Sequence, residues 1–271
     1  MDTPHARRTD ADGVLTITLT RDDKLNAVSP QMLEVLFQAV DDLGEREDLQ
    51  VLLVTGEGRY FTAGIDMATM GGASTTGSRG EFKGTLFRRR YRRLHDFFDR
   101  LEASEKPIVL AAQGPCLGLG VEMGASCDFR LASDTACFGL PEVANLAMIP
   151  GSGGISRLAR LVGPHWTSWL AIAGEAITAQ DARMMGFVHA VYPVAEFARR
   201  AQAFAAKLAA LPPETLGVAK LSLRAAAYTD RASARDFDRL ANTLLVTSSE
   251  HTERMRAIAE RAAKPKGAGG L

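Results

Sequence analysis

The chain has little that would tie it to a metal, a membrane, an oxidising compartment or a polyanion. Its three cysteines, Cys116, Cys127 and Cys137, lie in one region without CxxC spacing, and an odd number in 271 residues is no disulfide framework. A reducing, cytoplasmic setting is the expectation. The five histidines, His5, His95, His165, His189 and His251, are scattered without ligand spacing, so no metal site is expected. No hydrophobic run approaches a membrane-spanning helix, and residues 1 to 13 lack the apolar stretch of an export signal. Net charge is missing too: Lys and Arg number 32, as do Asp and Glu, which removes any bulk attraction to nucleic acid or anionic membrane. Arg88, Arg89, Arg90, Arg92 and Arg93 have no interleaved aromatics placed for base stacking, and they read as a solvated helix face or a subunit contact. Residues 118 to 124 spell GxGxxxG, one residue too long for a dinucleotide fingerprint, and neither GxxxxGKS/T nor GxSxG occurs.

What is present is an ordinary globular composition, 46% hydrophobic and 24% charged, in a chain long enough for one large α/β domain. Residues 14 to 19 alternate as a strand, Ser29-Pro30 reads as an N-cap and first helical residue, and residues 51 to 56 form an apolar run suited to a strand covered on both faces. Strand, helix, strand implies a right-handed crossover and a largely parallel sheet. Residues 71 to 80 hold too little apolar content to pack and read as a surface loop, a candidate active-site cover. A long helix is expected over 81 to 104, with Phe87, Tyr91, Leu94, Phe98 and Leu101 near one stripe. A buried-type strand follows over 106 to 112, then helix over 117 to 126, extended chain over 128 to 133 and helix over 152 to 162. From 167 the chain is alanine-rich and mainly helical, interrupted by a short strand at 189 to 193. The layout is an α/β core over residues 1 to 195 and a helical region over 196 to 271.

Two acids stand out. Glu122 and Glu142 lie in apolar, glycine-rich sequence, where an unpartnered carboxylate is costly. Two loops accompany them. Residues 58 to 66 turn through glycines between the end of a strand and the start of a helix near Asp66, and residues 117 to 122 have the same character. Amides at such places have no helical partner and sit at the positive end of the helix, which suits an oxyanion. Taken alone, each loop is equally a tight strand-to-helix turn without chemistry.

Residues 21 to 27 (RDDKLNA), 61 to 66 (FTAGID), 114 to 122 (GPCLGLGVE), 138 to 142 (FGLPE) and 149 to 154 (IPGSGG) occur in an order and spacing that resemble the crotonase (enoyl-CoA hydratase/isomerase) superfamily, over about residues 13 to 263. The resemblance implies an α/β fold, a crotonase-like spiral of ββα units, with a C-terminal helical trimerisation region. It implies a homotrimer or dimer of trimers and an acyl-CoA substrate, with no cofactor, since coenzyme A is part of that substrate. By position, the peptide N–H groups of Ile65 and Leu119 would bind the thioester oxygen. A leucine at 119, where a glycine is usual, leaves that amide in place but puts a side chain in the pocket. Glu122 would hold and activate the water that attacks C3, and Glu142 would deliver the proton to C2. A helix beginning near Gly153 would add its dipole to the enolate.

The CoA contacts implied are Lys24, Leu25, Ala63, Gly64, Ile65, Asp66 and Gly118, with Lys24 and Arg261 meeting phosphates. Ile258 stands where a phenylalanine is usual. The dienoyl-CoA isomerases carry a further aspartate where this chain has Met148-Ile149-Pro150-Gly151. The implied activity is therefore enoyl-CoA hydration, with isomerisation, or a non-catalytic acyl-CoA-binding role, as the alternatives.

Overall fold

The computed structural model describes residues 5–70 and 84–263. It opens on a hairpin in which β1 (Ala6–Ala11) runs antiparallel to β2 (Val14–Leu19). Periodicity does not mark β1, because it is an edge strand on which only Ala6 is buried. After a turn of 3-10 helix (Asp22–Lys24) comes α1 (Pro30–Glu45), capped as expected: Ser29 Oγ accepts from the Met32 amide at 3.2 Å and Pro30 takes the first position. Then β3 (Val51–Gly56) lies parallel to β2, with Val14 opposite Val51, the arrangement that the strand, helix, strand order predicts.

The chain continues through α2 (Met67–Met70) and α3 (Gly84–Ala103) to β4 (Ile108–Ala112). Next are β5 (Cys116–Leu117), α4 (Leu119–Ala125), β6 (Phe129–Ser133), β7 (Cys137–Gly139) and α5 (Glu142–Leu146). They lead into α6 (Gly154–Leu161), α7 (Gly163–Ala171), β8 (Ile177–Thr178), α8 (Ala179–Met184), β9 (Ala190–Tyr192) and α9 (Val194–Ala209). The main sheet has the order β1-β2-β3-β4-β6-β9 and is parallel from β2 onward; β5, β7 and β8 form a small second sheet. The loop expected at 71 to 80 lies outside the described residues.

Helices cover both faces of the main sheet. On one face Leu36 of α1, Phe98 and Leu101 of α3 and Val121 of α4 join Leu15, Ile17, Leu52 and Leu110. On the other, Phe197, Ala201, Ala205 and Leu208 of α9 close over Val14, Leu53, Val109 and Leu131. Fully burying one large apolar side chain contributes roughly 1.5–3 kcal/mol, so each helix is held by its stripe. The alternating burial of β3 between these layers explains its unbroken apolar run. Because α9 closes the second face, the first compact unit extends to Ala210, past the boundary read at residue 195. The second unit begins at Leu211 and contains α10 (Pro213–Tyr228), α11 (Arg231–Val246) and α12 (Ser249–Ala263), with α10 packed on α11 and α11 on α12. Asp230 caps α11 by accepting from the Ala232 and Ser233 amides.

Candidate active site

The loop after β3 is shaped by polar groups that the core would otherwise reject. Asn26 is fully buried, donates to the carbonyls of Glu57 and Tyr60 at 2.8 Å each, and accepts from the Arg21 amide at 2.6 Å. Thr62 Oγ1 donates to the Asn26 carbonyl at 2.7 Å and accepts from the Gly64 amide at 3.1 Å. The Val28 amide donates to the Gly64 carbonyl at 2.8 Å, and the Asp66 amide to the Val28 carbonyl at 3.0 Å. These bonds engage the groups on either side of Ile65 and leave its own N–H without an acceptor among the described residues. Asp66 is no free acid: it pairs with Arg21 at 2.6 Å.

The second loop lies against the first. The Leu117 amide donates to the Thr62 carbonyl at 2.9 Å, and the Thr62 amide to the Pro115 carbonyl at 3.2 Å. Gly118 follows with φ 52° and ψ −120°, a conformation that disfavours any residue with a β-carbon. Then α4 begins at Leu119, whose N–H is one of the orphan donors of a helix start and has no acceptor among the described residues. At the far end of α4, buried Arg130 donates from Nη1 to the carbonyls of Gly124, at 2.8 Å, and Cys127, at 2.6 Å. That cation holds the C-terminal end of the short helix that carries Glu122.

Glu122 is 3% exposed. Its Oε1 accepts from the Ser152 amide at 2.8 Å and the Gly154 amide at 3.0 Å, at the start of α6. Burial pushes its carboxyl above the ordinary carboxylate range, and those two amides offset part of that shift. The start of α6 therefore acts first on Glu122, where the sequence reading aimed it at the enolate. Gly153 supplies the left-handed turn, φ 94°, that brings both amides to one oxygen.

Glu142 begins α5. A β-carbon on Gly118 would stand 2.8 Å from its Oε1, which puts the carboxyl beside the second loop. Its Oε2 is buried and has no hydrogen-bond partner among the described residues. Burial, with a further contribution from the charge of Glu122, pushes the Glu142 carboxyl up to about 7. Both glutamates thus sit in dry surroundings, but one is clamped by amides and the other is not.

These parts share one cavity of about 460 Å³. Ala63, Gly64, Ile65, Gly118, Leu119, Glu122 and Glu142, all picked out in the sequence, line it together. Among the described lining residues the acids are these two, and Met148 and Ile149 occupy the wall where a third would be needed. The sequence reading missed Tyr91, Asn145 and Ser152. Tyr91 was placed in the core stripe of α3, yet it lines the cavity, and burial together with the two glutamate charges raises its phenol. The Gly151-Ser152-Gly153-Gly154 run was the available signal for the Glu122 clamp. Lys24 is exposed, and Leu25 meets the first loop by accepting from the Ala63 amide at 2.9 Å. Arg261 is exposed in the last turn of α12, within the second unit.

No group of three or more candidate metal ligands occurs among the described residues, and no described helix is long and apolar enough to cross a membrane.

Comparison with known proteins matches this arrangement over nearly the whole chain. The family model for enoyl-CoA hydratase/isomerase covers residues 9–266. A 2,3-dehydroadipyl-CoA hydratase of Escherichia coli (strain K12) is 31% identical over 248 residues, 92% of each chain. A crotonyl-CoA hydratase of Syntrophomonas wolfei is 31% identical over 244 residues, 90% of each chain. Among solved structures, an enoyl-CoA hydratase subunit from Geobacillus kaustophilus superposes with a TM-score of 0.83 at 31% identity, covering 95% of both chains. The enoyl-CoA hydratase of Bacillus anthracis gives 0.84 at 28%, covering 95% of this chain and 96% of its own. With its crotonase-like α/β fold and C-terminal helices, the chain belongs to the enoyl-CoA hydratase/isomerase family, within the crotonase superfamily.

Proposed function

We propose that the chain is an enoyl-CoA hydratase, adding water across the 2,3 double bond of a 2-enoyl-CoA to give the 3-hydroxyacyl-CoA. The observation that carries this reading is the pair Glu122 and Glu142 on one cavity wall with two partnerless amides. The Ile65 and Leu119 amides receive the thioester oxygen, and their dipoles stabilise the charge that builds there as C3 is attacked. A water held by Glu122 gives its hydroxyl to C3 and its proton to that carboxylate. Glu142, held protonated to about 7, gives its proton to C2. Water and the pair together supply one hydroxyl and one hydrogen, and the pair ends with the single proton it began with, now on Glu122.

Met67, Phe87, Leu146, Met148 and Ile149 give the acyl chain an apolar wall. Lys24 is assigned to the phosphates of the CoA bound by its own chain and Arg261 to those of the CoA bound by a neighbouring subunit, and no metal or redox cofactor enters the chemistry. A homotrimer or dimer of trimers in the cytoplasm completes the proposal, supported by Leu240, Leu244 and Ile258, which lie exposed on the helices of the second unit. The names of the relatives, hydratases of 2,3-dehydroadipyl-CoA and crotonyl-CoA, favour the same reaction.

Double-bond isomerisation would use the same amides with one carboxyl shuttling a proton. The second carboxyl, gripped by amides as if to hold a water, favours hydration. The test is Glu142→Gln: turnover of crotonyl-CoA falls at least about a hundredfold while acyl-CoA binding is kept. Turnover close to that of the unaltered enzyme would remove the assignment.

A further inference from the structure

Glu122 is held by a turn, and the side chain of an arginine grips that turn at the Ser152 carbonyl. Arg157, on α6, is largely enclosed, with a side chain 13% exposed. Its Nη1 donates to the Ser152 carbonyl at 2.8 Å, its Nη2 to Asp99 at 2.6 Å and its Nε to Glu102. The guanidinium also stands over the Phe98 ring, 5.6 Å from its centroid. Asp99, Glu102 and Phe98 all belong to α3, so the guanidinium ties that helix to residue 152. Ser152 in turn offers its amide, with that of Gly154, to Glu122 Oε1. A β-carbon on Gly153 would stand 2.1 Å from Arg157 Nη1. The turn can only take its shape around the guanidinium if residue 153 has no side chain.

We propose that Arg157 is the positioning residue for Glu122: it fixes the turn at residues 152–154 so that two amides converge on one carboxylate oxygen. The proposal rests on reading Glu122 as the group that holds the water. A planar fork serving the Ser152 carbonyl and two carboxylates at once is something a lysine cannot reproduce.

The charges around Glu122 are few enough to name. Arg157 faces it from α6 and Glu142 from α5. From α3 come Tyr91, and His95, whose Nε2 lies 2.7 Å from the Gly151 carbonyl. Asp99 and Glu102 pair with Arg157, and its charge lowers the Glu122 carboxyl less than the Ser152 and Gly154 amides do, so its effect on Glu122 runs mainly through the geometry of the turn.

The experiment compares the full-length enzyme with Arg157→Lys and Arg157→Gln. It measures kcat and KM for crotonyl-CoA across pH, and the titration of the Glu122 carboxyl by NMR with isotopically labelled glutamate, assigned with Glu122→Gln. Arg157→Lys is expected to lose roughly tenfold to a hundredfold in kcat at little change in KM, the scale of a reacting group displaced by a fraction of an ångström. Its Glu122 titration moves up, because the amides that lower it no longer converge on one oxygen. Arg157→Gln shows the same loss, and its Glu122 titration also moves up, as the amides shift and the cation goes. A folded Arg157→Lys with unaltered kcat overturns the proposal, and it decides alone should Arg157→Gln fail to fold. If the unaltered enzyme hydrates no 2-enoyl-CoA, the hydratase reading fails by itself; the NMR titration then decides on Arg157, and an unmoved Glu122 in Arg157→Lys, which keeps the cation, refutes it.

Discussion

Replacing Glu142 by glutamine is expected to make the protein more stable while it destroys the activity. The Glu142 carboxyl is pushed up to about 7 from an ordinary 4.5, first by burial and then by the charge of Glu122, and its Oε2 is buried without a partner among the described residues. The native state therefore binds more protons than the unfolded chain between those two values. Stability falls as pH rises through that window and levels off above it. At about 1.4 kcal/mol per pH unit, the full shift amounts to about 3 kcal/mol. Glu142 is only half-buried at the cavity wall, and screening by solvent reduces this to about 1–2 kcal/mol. Glutamine keeps the shape and removes the charge. Glu142→Gln and the unaltered protein should thus unfold together near pH 4.5, with the variant more stable by about 1–2 kcal/mol at about pH 8. Urea denaturation at fixed protein concentration, followed by the fluorescence of Trp166 and Trp169 on α7, measures the gap. A gap that does not change with pH, or a variant weaker at about pH 8, would refute the reasoning.

Hydration and dehydration both use the singly protonated pair of glutamates, so kcat/KM should be bell-shaped in both directions, with coincident profiles. Its basic limb reports loss of the proton from the pair at an apparent value of about 7, and profiles that differ between substrate and product would exclude a shared proton. Gly118→Ala places a β-carbon 2.8 Å from Glu142 Oε1 at a left-handed φ of 52°, and about 1–3 kcal/mol of stability and roughly a hundredfold in kcat should be lost together. Chemical denaturation and steady-state kinetics on that one variant check both. Leu119→Gly keeps the amide and removes a buried side chain from the cavity wall; it should cost about 2–4 kcal/mol and shift the preference of the enzyme toward bulkier acyl groups, read from a panel of 2-enoyl-CoAs.

Much of the architecture was legible because the elements that build it obey simple periods. The residues of β2 and β3 are buried on both faces, and α1 announces itself through Ser29-Pro30. The two loops and the two acids were legible for a different reason: glycine and carboxylate are costly in apolar sequence unless something uses them. Three features were not. The edge strand β1 and the small sheet of β5, β7 and β8 are too short or too polar to show a period. The allegiance of α9 to the sheet depends on what its apolar stripe meets, which the stripe itself does not say. The hold of residues 152–154 on Glu122 is made by main-chain amides across 30 residues or more of sequence, and side-chain pattern has no way to signal it.

Hydration by the glutamate pair is tested most directly by incubating the enzyme with crotonyl-CoA in isotopically labelled water, followed by mass analysis of the product. Hydration predicts a 3-hydroxyacyl-CoA carrying labelled oxygen at C3, formed by the unaltered enzyme and lost in Glu122→Gln and Glu142→Gln. Exchange of carbon-bound hydrogen without any hydroxylated product, or label incorporation that survives both substitutions, would contradict it.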